Sequence, residues 1–242
     1  MKKYFLPIAL LLLLAGSASY AWMGAGQMTG SVPVASAPTL VARWEFDSDL
    51  TDAIGSNDLT AVGTATYNTS TPMSGTGALS TSTGNNAAIT DATQTGLDGT
   101  NANGLTIAAW VDYASGYGTI VVKHDGTNGW MLRVQDSSRK IRFMANATTY
   151  TSGDYVIGTS AVHVAVVLDA QTGSVTLYIN GTETTSGGFP GADAPAIVEN
   201  TADVQVGAGP AAVYQFTGDI DDVRIYNAAL SSSEIAALYA EY

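Results

Sequence analysis

The chain has 242 residues, with 9 basic against 21 acidic residues, and its formal net charge is −12. A surface of this sign repels nucleic acid and anionic lipid headgroups, so both are excluded as partners, and it attracts cations such as Ca²⁺. The chain has no cysteine and is 46% hydrophobic, which is enough for a domain of this size to build a core without disulfides.

The first residues predict a secretory signal peptide over 1–21. Two lysines precede an apolar run from residue 4 to residue 15, and small residues follow. The run is too short for a comfortable membrane span, although an uncleaved N-terminal anchor is the alternative. Residues 22–39, rich in Gly, Ser, Ala and Pro, predict a flexible leader. We therefore expect a secreted, extracellular or cell-surface protein with one domain over 40–242, which does not insert into membranes once the signal peptide is cleaved.

Most of the domain has the period of two that is typical of β-strands. Apolar and polar residues alternate in segments such as LVARWEF (40–46), LTIAAWV (105–111) and SVTLYIN (174–180). Val, Ile, Thr, Tyr and Trp dominate these segments, and turn sequences such as NG at 180–181 separate them. Many short strands at intervals of about ten residues predict an all-β sandwich.

The C-terminal segment is the exception and predicts a short helix. Ser231 as N-cap and Glu234 three residues later form a capping box, and Leu230 and Ile235 fit a hydrophobic staple. The helix is expected to run to about Tyr239. A helix of this length depends on packing rather than on intrinsic propensity.

Four segments, in order, resemble the laminin-G-like, concanavalin A-like lectin/glucanase domain that is common in secreted bacterial proteins. They are ARWEFDSDLTDAIGSNDLT, LTIAAWVDY, SAVHVAVVLDAQTGSVTLYINGTE and FTGDIDDVRIYNAALSSSEIAALY. The resemblance spans about residues 40–240 and implies a two-sheet antiparallel jelly-roll sandwich whose first and last strands lie near each other. This fold hosts lectins, adhesion modules, glycoside hydrolases and polysaccharide lyases, so function must be argued from sites.

The sequence indicates no catalytic residues. Glycoside hydrolysis needs two carboxylates flanking one sugar bond, and the hydrolases of this fold place them as Glu-x-Asp-x-x-Glu, a pattern that none of the five glutamates begins. The chain also lacks a Gly-x-Ser-x-Gly motif. His124 is interpreted as solvated and His163 as structural. We therefore expect a protein that is not an enzyme.

The segment GDIDDVRIYNAAL, at 218–230, places three aspartates within four residues. Uninterrupted strand alternation puts Asp221 on the same face as Val223 and Ile225, where a bare charge needs a partner. Asp222 falls on the opposite face and is expected to be solvated, close to Arg224. A carboxylate that accepts backbone N–H bonds, or a solvated strand end, is the alternative for Asp221.

The resemblance implies a structural Ca²⁺ site for Asp221, because it brings the first and last strands together. Asp47 then lies beside Asp221, and carbonyl oxygens near Gly55 and Asn57 complete a shell of the kind that Ca²⁺ requires. Members of the resembled superfamily often carry Ca²⁺ at this place. Calcium is accordingly the expected cofactor.

Sugar binding needs exposed aromatic rings beside polar side chains. Tyr117, Trp130 and Tyr214 are the candidate rings, and Asn128 and Arg133 are the candidate polar contacts. Trp130 shares the parity of the apolar positions in its strand, which favours the core for that ring.

The leading hypothesis is a secreted, non-catalytic carbohydrate-binding or adhesion module that carries Ca²⁺ and contacts a glycan or a glycosylated surface. The alternative is a structural or assembly subunit, for a surface layer, a filament or the decoration of a virion, in which self-association of the sandwich is the function. A glycoside hydrolase or polysaccharide lyase is the third possibility.

Overall fold

The computed structural model describes residues 38–100, 103–135, 138–184, 195–210 and 213–242, with residues 150–156 described by their backbone alone. The predicted signal peptide and all but the last two residues of the predicted leader lie outside the described residues. In the part of the chain that is described, no helix is long and apolar enough to cross a membrane.

The described residues form fifteen strands and one helix, as the alternation and the capping box predict. The elements are β1 (Leu40–Trp44), β2 (Thr60–Val62), β3 (Thr66–Asn68), β4 (Ala78–Thr81), β5 (Asn86–Ile89), β6 (Leu105–Ser115), β7 (Gly118–His124), β8 (Gly129–Gln135), β9 (Lys140–Ala145), β10 (Thr148–Val156), β11 (Val162–Asp169), β12 (Ser174–Ile179), β13 (Thr182–Glu183), β14 (Val204–Val206), β15 (Thr217–Tyr226) and α1 (Ser232–Tyr239).

The strands build two antiparallel sheets. Within the described residues, sheet A has the order β13-β12-β11-β6-β15-β4-β3 with β1 also paired to β15, and sheet B has the order β10-β9-β8-β7-β14-β5-β2. Alternate apolar residues of both sheets meet in one core, in which Trp44, Trp130 and Phe143 are fully buried. The prediction of a two-sheet jelly-roll sandwich with a short C-terminal helix is confirmed.

The first and last strands are direct neighbours, as the resemblance implies. β1 pairs with β15 in antiparallel register, with Trp44 opposite Val223 and Arg43 opposite Arg224. β15 also pairs with β6 and with β4. The last strand is therefore the element through which β1 joins the centre of sheet A.

β15 contains a β-bulge, and the bulge changes the face on which Asp221 lies. The register with β6 shifts between Asp221 and Arg224, and Asp222 has a φ of 42°. Ile220 and Val223 both lie in the core although they are three residues apart, so alternation is interrupted between them. The prediction that Asp221 shares a face with Val223 is therefore wrong.

The helix covers part of the outer face of sheet A. Ile235 and Leu238 pack with Ala108 and Ala165 from the neighbouring strands β6 and β11 in a second apolar cluster. The Ser231 side chain accepts the backbone N–H of Glu234, and the Glu234 carboxylate accepts the backbone N–H of Ser231, so the predicted capping box is confirmed.

The capping box provides a stability test. Ser231→Ala removes the oxygen that accepts the Glu234 N–H and should lower the free energy of unfolding by about 1 kcal/mol. Chemical denaturation measures this loss. Ser232→Ala, one residue into the helix, is the control and should leave stability within about 0.5 kcal/mol of the wild type. An equal loss in both variants would show that the cap does not hold the helix.

Candidate functional site

Two exposed tyrosines from different loops meet beside the start of β7. Tyr117 directly precedes β7 and is 38% exposed, and Tyr214 lies between β14 and β15 and is 44% exposed. Their ring centroids are 5.4 Å apart, with the ring planes tilted by 53°. Both belong to the small set of large apolar or aromatic side chains that the described fold leaves exposed. Their contact therefore forms an aromatic surface that solvent reaches.

Arg133 lies beneath this pair of rings. Leu132 and Val134 on either side of it are core residues of β8, so alternation turns Arg133 to the outer face of sheet B. Its guanidinium carbon lies 4.9 Å from the ring centroid of Tyr214 and 5.8 Å from that of Tyr117, within cation–π range. We call Tyr117, Tyr214 and Arg133 the tyrosine–arginine site.

The backbone of Tyr214 is held in a conformation that non-glycine residues rarely adopt. Its φ is 54°, and its carbonyl oxygen accepts the backbone N–H of Thr119 at 2.8 Å. Gly209 also donates its N–H to the carbonyl of Val213 at 2.7 Å and so closes the preceding turn. Such strain persists where the surrounding structure fixes it, and it is concentrated at functional sites.

The other two predicted contacts lie elsewhere. Trp130 is fully buried, and its indole N–H donates to the carbonyl of Leu97 at 2.9 Å, so the core location favoured by its parity is confirmed and stacking on a ligand is excluded. Asn128 belongs to the β7–β8 turn, where its N–H donates to Asp125 at 2.7 Å. That turn is at the far end of the hairpin from Tyr117, roughly 20 Å away at about 3.3 Å per residue.

Asp47 and Asp221 both bond the same loop, residues 73–77. Asp221 accepts the backbone N–H groups of Met73 at 3.0 Å and Ser74 at 2.7 Å through Oδ2. Asp47 accepts the N–H groups of Thr76 and Gly77 through Oδ1. The two carboxylates thus hold neighbouring parts of the same loop. For Asp221 this matches the alternative stated from sequence, a carboxylate that accepts backbone N–H bonds.

Asp221 retains one oxygen without a partner. The residue is fully buried, and its Oδ1 accepts no hydrogen bond. Burial raises the pKa of this carboxyl to about 7, against the opposing effect of the N–H bonds it accepts. A buried oxygen of this kind is stabilised by a proton or by a cation.

Gly55 and Asn57 are arranged around a different carboxylate, that of Asp52. Asn57 donates its backbone N–H to Asp52 at 3.1 Å, and its carbonyl accepts the indole N–H of Trp44 at 2.8 Å. A Cβ at Gly55 would lie 2.5 Å from Asp52 Oδ2. Among the described residues, no group of three Asp, Glu, His or Cys side chains is placed to hold a metal ion.

Asp222 is buried rather than solvated, so that prediction is wrong, whereas its expected proximity to Arg224 is confirmed. Its carboxylate is 3% exposed and accepts N–H bonds at 2.8 Å from both Arg43 and Arg224. The hydroxyl of Tyr242 also donates to it. Alternation places Asp222 on the face of Arg224, and only the structure shows that Arg43 and Tyr242 bury it there.

Lys123 is a second buried charge that sequence reasoning did not identify. Its ammonium group is fully buried and pairs with Asp91 and Asp98, and it donates to the carbonyl of Ala202 at 2.8 Å. Lys123 has the strand parity of Val121, a core residue, and this parity could have predicted that the lysine is buried. These contacts attach two loops to the edge of the core.

The two histidines are both buried. His124, predicted to be solvated, is 2% exposed; its ring bonds the carbonyl of Asn146 and accepts the N–H of Gly126, each at 2.9 Å, so that prediction is wrong. His163 packs against the rings of Trp110 and Tyr239. Burial lowers the pKa of His163 to about 4, so the ring is neutral at physiological pH.

The architecture defines the chain as an antiparallel β-sandwich protein of the jelly-roll class with an exposed aromatic site. A family model described as the concanavalin A-like lectin/glucanases superfamily matches residues 76–236. The chain belongs to this superfamily, as the four resembling segments predict.

Individual relatives are distant. Adhesion G-protein coupled receptor V1 of Danio rerio is 26% identical over 152 residues, which are 56% of this chain and 2% of the receptor. Domain 4 of AbnA, a GH43 extracellular arabinanase from Geobacillus stearothermophilus solved in complex with arabinotriose, has a TM-score of 0.61 at 23% identity, covering 84% of this chain and 98% of that one. The binding domain of Paraclostridial Mosquitocidal Protein 1 has a TM-score of 0.65 at 18% identity, covering 84% of this chain and 52% of that one. At these identities the two structures show a shared fold.

The raised pKa of Asp221 predicts a pH-dependent stability in the presence of EDTA. The folded state binds the proton of Asp221 more tightly than the unfolded chain does, so this proton contributes to the free energy of unfolding. The contribution is fully present below the pKa of the unfolded chain, about 3.9. It is lost as the pH rises through about 7. Asp221→Asn should remove this component, so chemical denaturation between pH 4 and pH 8 should show a flatter profile for the variant. Asp219→Asn, in the same strand, is the control. Parallel profiles for Asp221→Asn and the wild type would contradict the assignment.

Proposed function

We propose that this chain is a secreted, non-catalytic carbohydrate-binding or adhesion module and that the tyrosine–arginine site is its glycan contact. The observation that carries the proposal is the exposed contact between Tyr117 and Tyr214 above a buried arginine. Exposed aromatic rings fixed by a rigid scaffold are costly to keep in water, and they mark binding surfaces.

The geometry suits a sugar ring. A tyrosine ring offers a flat apolar face to the C–H groups of a sugar, while its hydroxyl stays in water and bonds polar groups. Arg133 adds N–H donors beside the rings. A site of two rings has low affinity for one sugar unit, so strong attachment would come from several copies or several sugar units.

The solved arabinanase domain supports the ligand class. Domain 4 of AbnA has the same fold and was solved with arabinotriose. A sandwich of this type therefore accommodates a sugar in that protein, and we extend the ligand class to this chain.

The described carboxylates support a non-catalytic role. Glu45 and Asp47 are the carboxylates that come nearest to the Glu-x-Asp-x-x-Glu pattern of the hydrolases. Both have structural contacts, because Glu45 pairs with Arg43 at 2.8 Å and Asp47 accepts N–H bonds from the 73–77 loop. The tyrosine–arginine site contains no carboxylate among its three residues, whereas glycoside hydrolysis commonly needs two.

Glycan-array screening of the full chain tests the glycan contact. Tyr117→Ala and Tyr214→Ala should each weaken binding by about tenfold, since each removes an aromatic anchor. Ile54→Ala, which truncates a side chain that is 48% exposed outside the site, is the matched control and should bind as the wild type does. Binding to no glycan, together with regular self-assembly in size-exclusion chromatography, would favour the structural-subunit alternative.

We also propose that a Ca²⁺ ion binds at Asp221 with Asp47. The support is the buried oxygen of Asp221 that has no partner, because a cation would remove the cost of burying that charge. The sequence also predicted carbonyl ligands near Gly55 and Asn57. The proposal leaves these out, since the carbonyl of Asn57 already accepts the Trp44 indole N–H. The ion would neutralise the pair and fix the 73–77 loop.

Thermal unfolding tests the calcium proposal. Ca²⁺ should raise the melting temperature of the wild type relative to EDTA, because a ligand that binds only the folded state stabilises it. Asp221→Asn and Asp47→Asn should each remove this rise, and Asp58→Asn, in the Asp52 loop, should keep it. If Ca²⁺ does not shift the wild-type transition, the site does not exist.

A further inference from the structure

A groove lies on the outer face of sheet A, beside the start of α1. Its volume is about 480 Å³, which is within the range of small-ligand sites. One wall is formed by β11 and β12, and the other by residues 228–232 and Glu234, where the chain enters the helix. Strands and a capped helix end therefore fix the shape of this groove, which we call the β12–α1 groove.

Strand alternation turns a polar row of β12 into the groove. The residues between the members of this row belong to the core, so Ser174, Thr176 and Tyr178 lie on the outer face of the sheet and line the groove. On the neighbouring β11, Val167 lies opposite Thr176, and Asp169 lies opposite Ser174. The two strands together contribute hydroxyl groups, one carboxylate and one aliphatic side chain to a single surface.

The floor of the groove is apolar and well packed. Val167, Tyr178 and Leu230 line the groove and also belong to the apolar cluster beneath the helix. Each of them is at most 6% exposed. A ligand in the groove would therefore meet a rigid apolar base with polar groups around it, which is the usual composition of a small-molecule site.

Three hydroxyl groups at the groove make no hydrogen bond to the part of the chain that the structure describes. They belong to Thr176, Tyr178 and Ser232. Tyr178 is almost entirely buried, so the groove is where its hydroxyl can find a partner. Burial, and then the charge of Glu183, raise the pKa of Tyr178, so the hydroxyl stays protonated and able to donate at neutral pH.

The charged groups among the described lining residues are two carboxylates, Asp169 and Glu234. Both are already fixed by bonds within the protein. Asp169 accepts the N–H of Gln171 at 2.8 Å and the hydroxyl of Thr172 at 2.7 Å, and Glu234 accepts the N–H of Ser231 at 2.7 Å. A carboxylate has about four acceptor positions, so each retains positions for a donor on a ligand. An anionic ligand would be repelled.

We propose that the β12–α1 groove is a second ligand site and that it binds a short neutral saccharide. The sugar hydroxyls would bond Thr176, Tyr178 and the two carboxylates, and the C–H groups of the sugar would lie on the apolar floor. A sugar hydroxyl both donates and accepts, which matches a row of hydroxyls and carboxylates without a cation. The groove is on sheet A and the tyrosine–arginine site is on sheet B, so this inference goes beyond the proposed glycan contact and does not depend on it.

Titration of the isotope-labelled full chain with neutral trisaccharides, followed by the NMR shifts of its backbone amides, tests the second site. Maltotriose, cellotriose and xylotriose are suitable probes. At least one should cause saturable shifts in residues 174–178 and 230–234, with an affinity in the millimolar range that is expected for a few hydrogen bonds on a small surface. A trisaccharide of glucuronate should bind this groove more weakly, because the carboxylates repel it.

Tyr178→Phe and Thr176→Val each remove one hydroxyl and keep the shape of the side chain. Each should weaken binding in the groove by about threefold to tenfold, as expected for one lost hydrogen bond. Tyr67→Phe, on β3 at the opposite edge of sheet A, is the matched control and should bind as the wild type does. Tyr214→Ala, which alters the tyrosine–arginine site, should leave the shifts in the groove unchanged.

Two outcomes separate the second site from the proposed function. The absence of shifts in the groove with every neutral trisaccharide at millimolar concentrations would overturn the second site. Shifts confined to the surroundings of Tyr117 and Tyr214 would also overturn it, while supporting the glycan contact proposed above. Stronger shifts in the groove with trilysine than with any sugar would identify a site for cations and overturn the saccharide. An equal loss of binding in Tyr178→Phe and Tyr67→Phe would show that the groove hydroxyl is not a contact.

Discussion

The pairing of the first and last strands in sheet A depends on one anion, the carboxylate of Asp222. It lies between Arg43 on the first strand and Arg224 on the last strand, accepting from each at 2.8 Å, and the hydroxyl of Tyr242 donates to it as well. The two arginines face each other directly, so without this anion two cations would oppose one another in the sheet. One side chain thus joins the beginning of the domain, its last strand and its C-terminal residue.

The β-bulge that places Asp222 also places Asp221. The inserted residue gives Asp222 a φ of 42° and sets the two adjacent carboxylates to different tasks, one toward the arginines and the other toward the 73–77 loop. The strain of a positive φ is offset by these contacts. A bulge in a strand paired with β1, β4 and β6 cannot shift without changing three registers, so this one irregularity fixes the pairing in the interior of sheet A.

The tyrosine–arginine site lies on sheet B and is built from strand alternation and two loops. Strand alternation turns Arg133 outward while its neighbours enter the core, and two loops that are far apart in sequence bring their tyrosines over it. The Thr119 N–H holds the carbonyl of Tyr214 and so fixes a strained residue beside Tyr117. The two rings are therefore held in place by the fold, which would lower the entropic cost of the binding proposed for this site.

The sequence by itself determined the sandwich, the capped helix and the core location of Trp130, because a period of two and a capping box are local patterns that few alternatives satisfy. The superfamily followed from the resemblance of four segments to a known family. The sequence also named Tyr117, Tyr214 and Arg133, although not that they touch. Only the tertiary structure decided the interruption of alternation at Asp222, the burial of His124 and Lys123, and the bonding of Asn57 to Asp52 and Trp44. Each of these depends on a bulge or on loops from distant parts of the chain, and no local pattern encodes such pairings because their energies arise from contacts that exist only after folding.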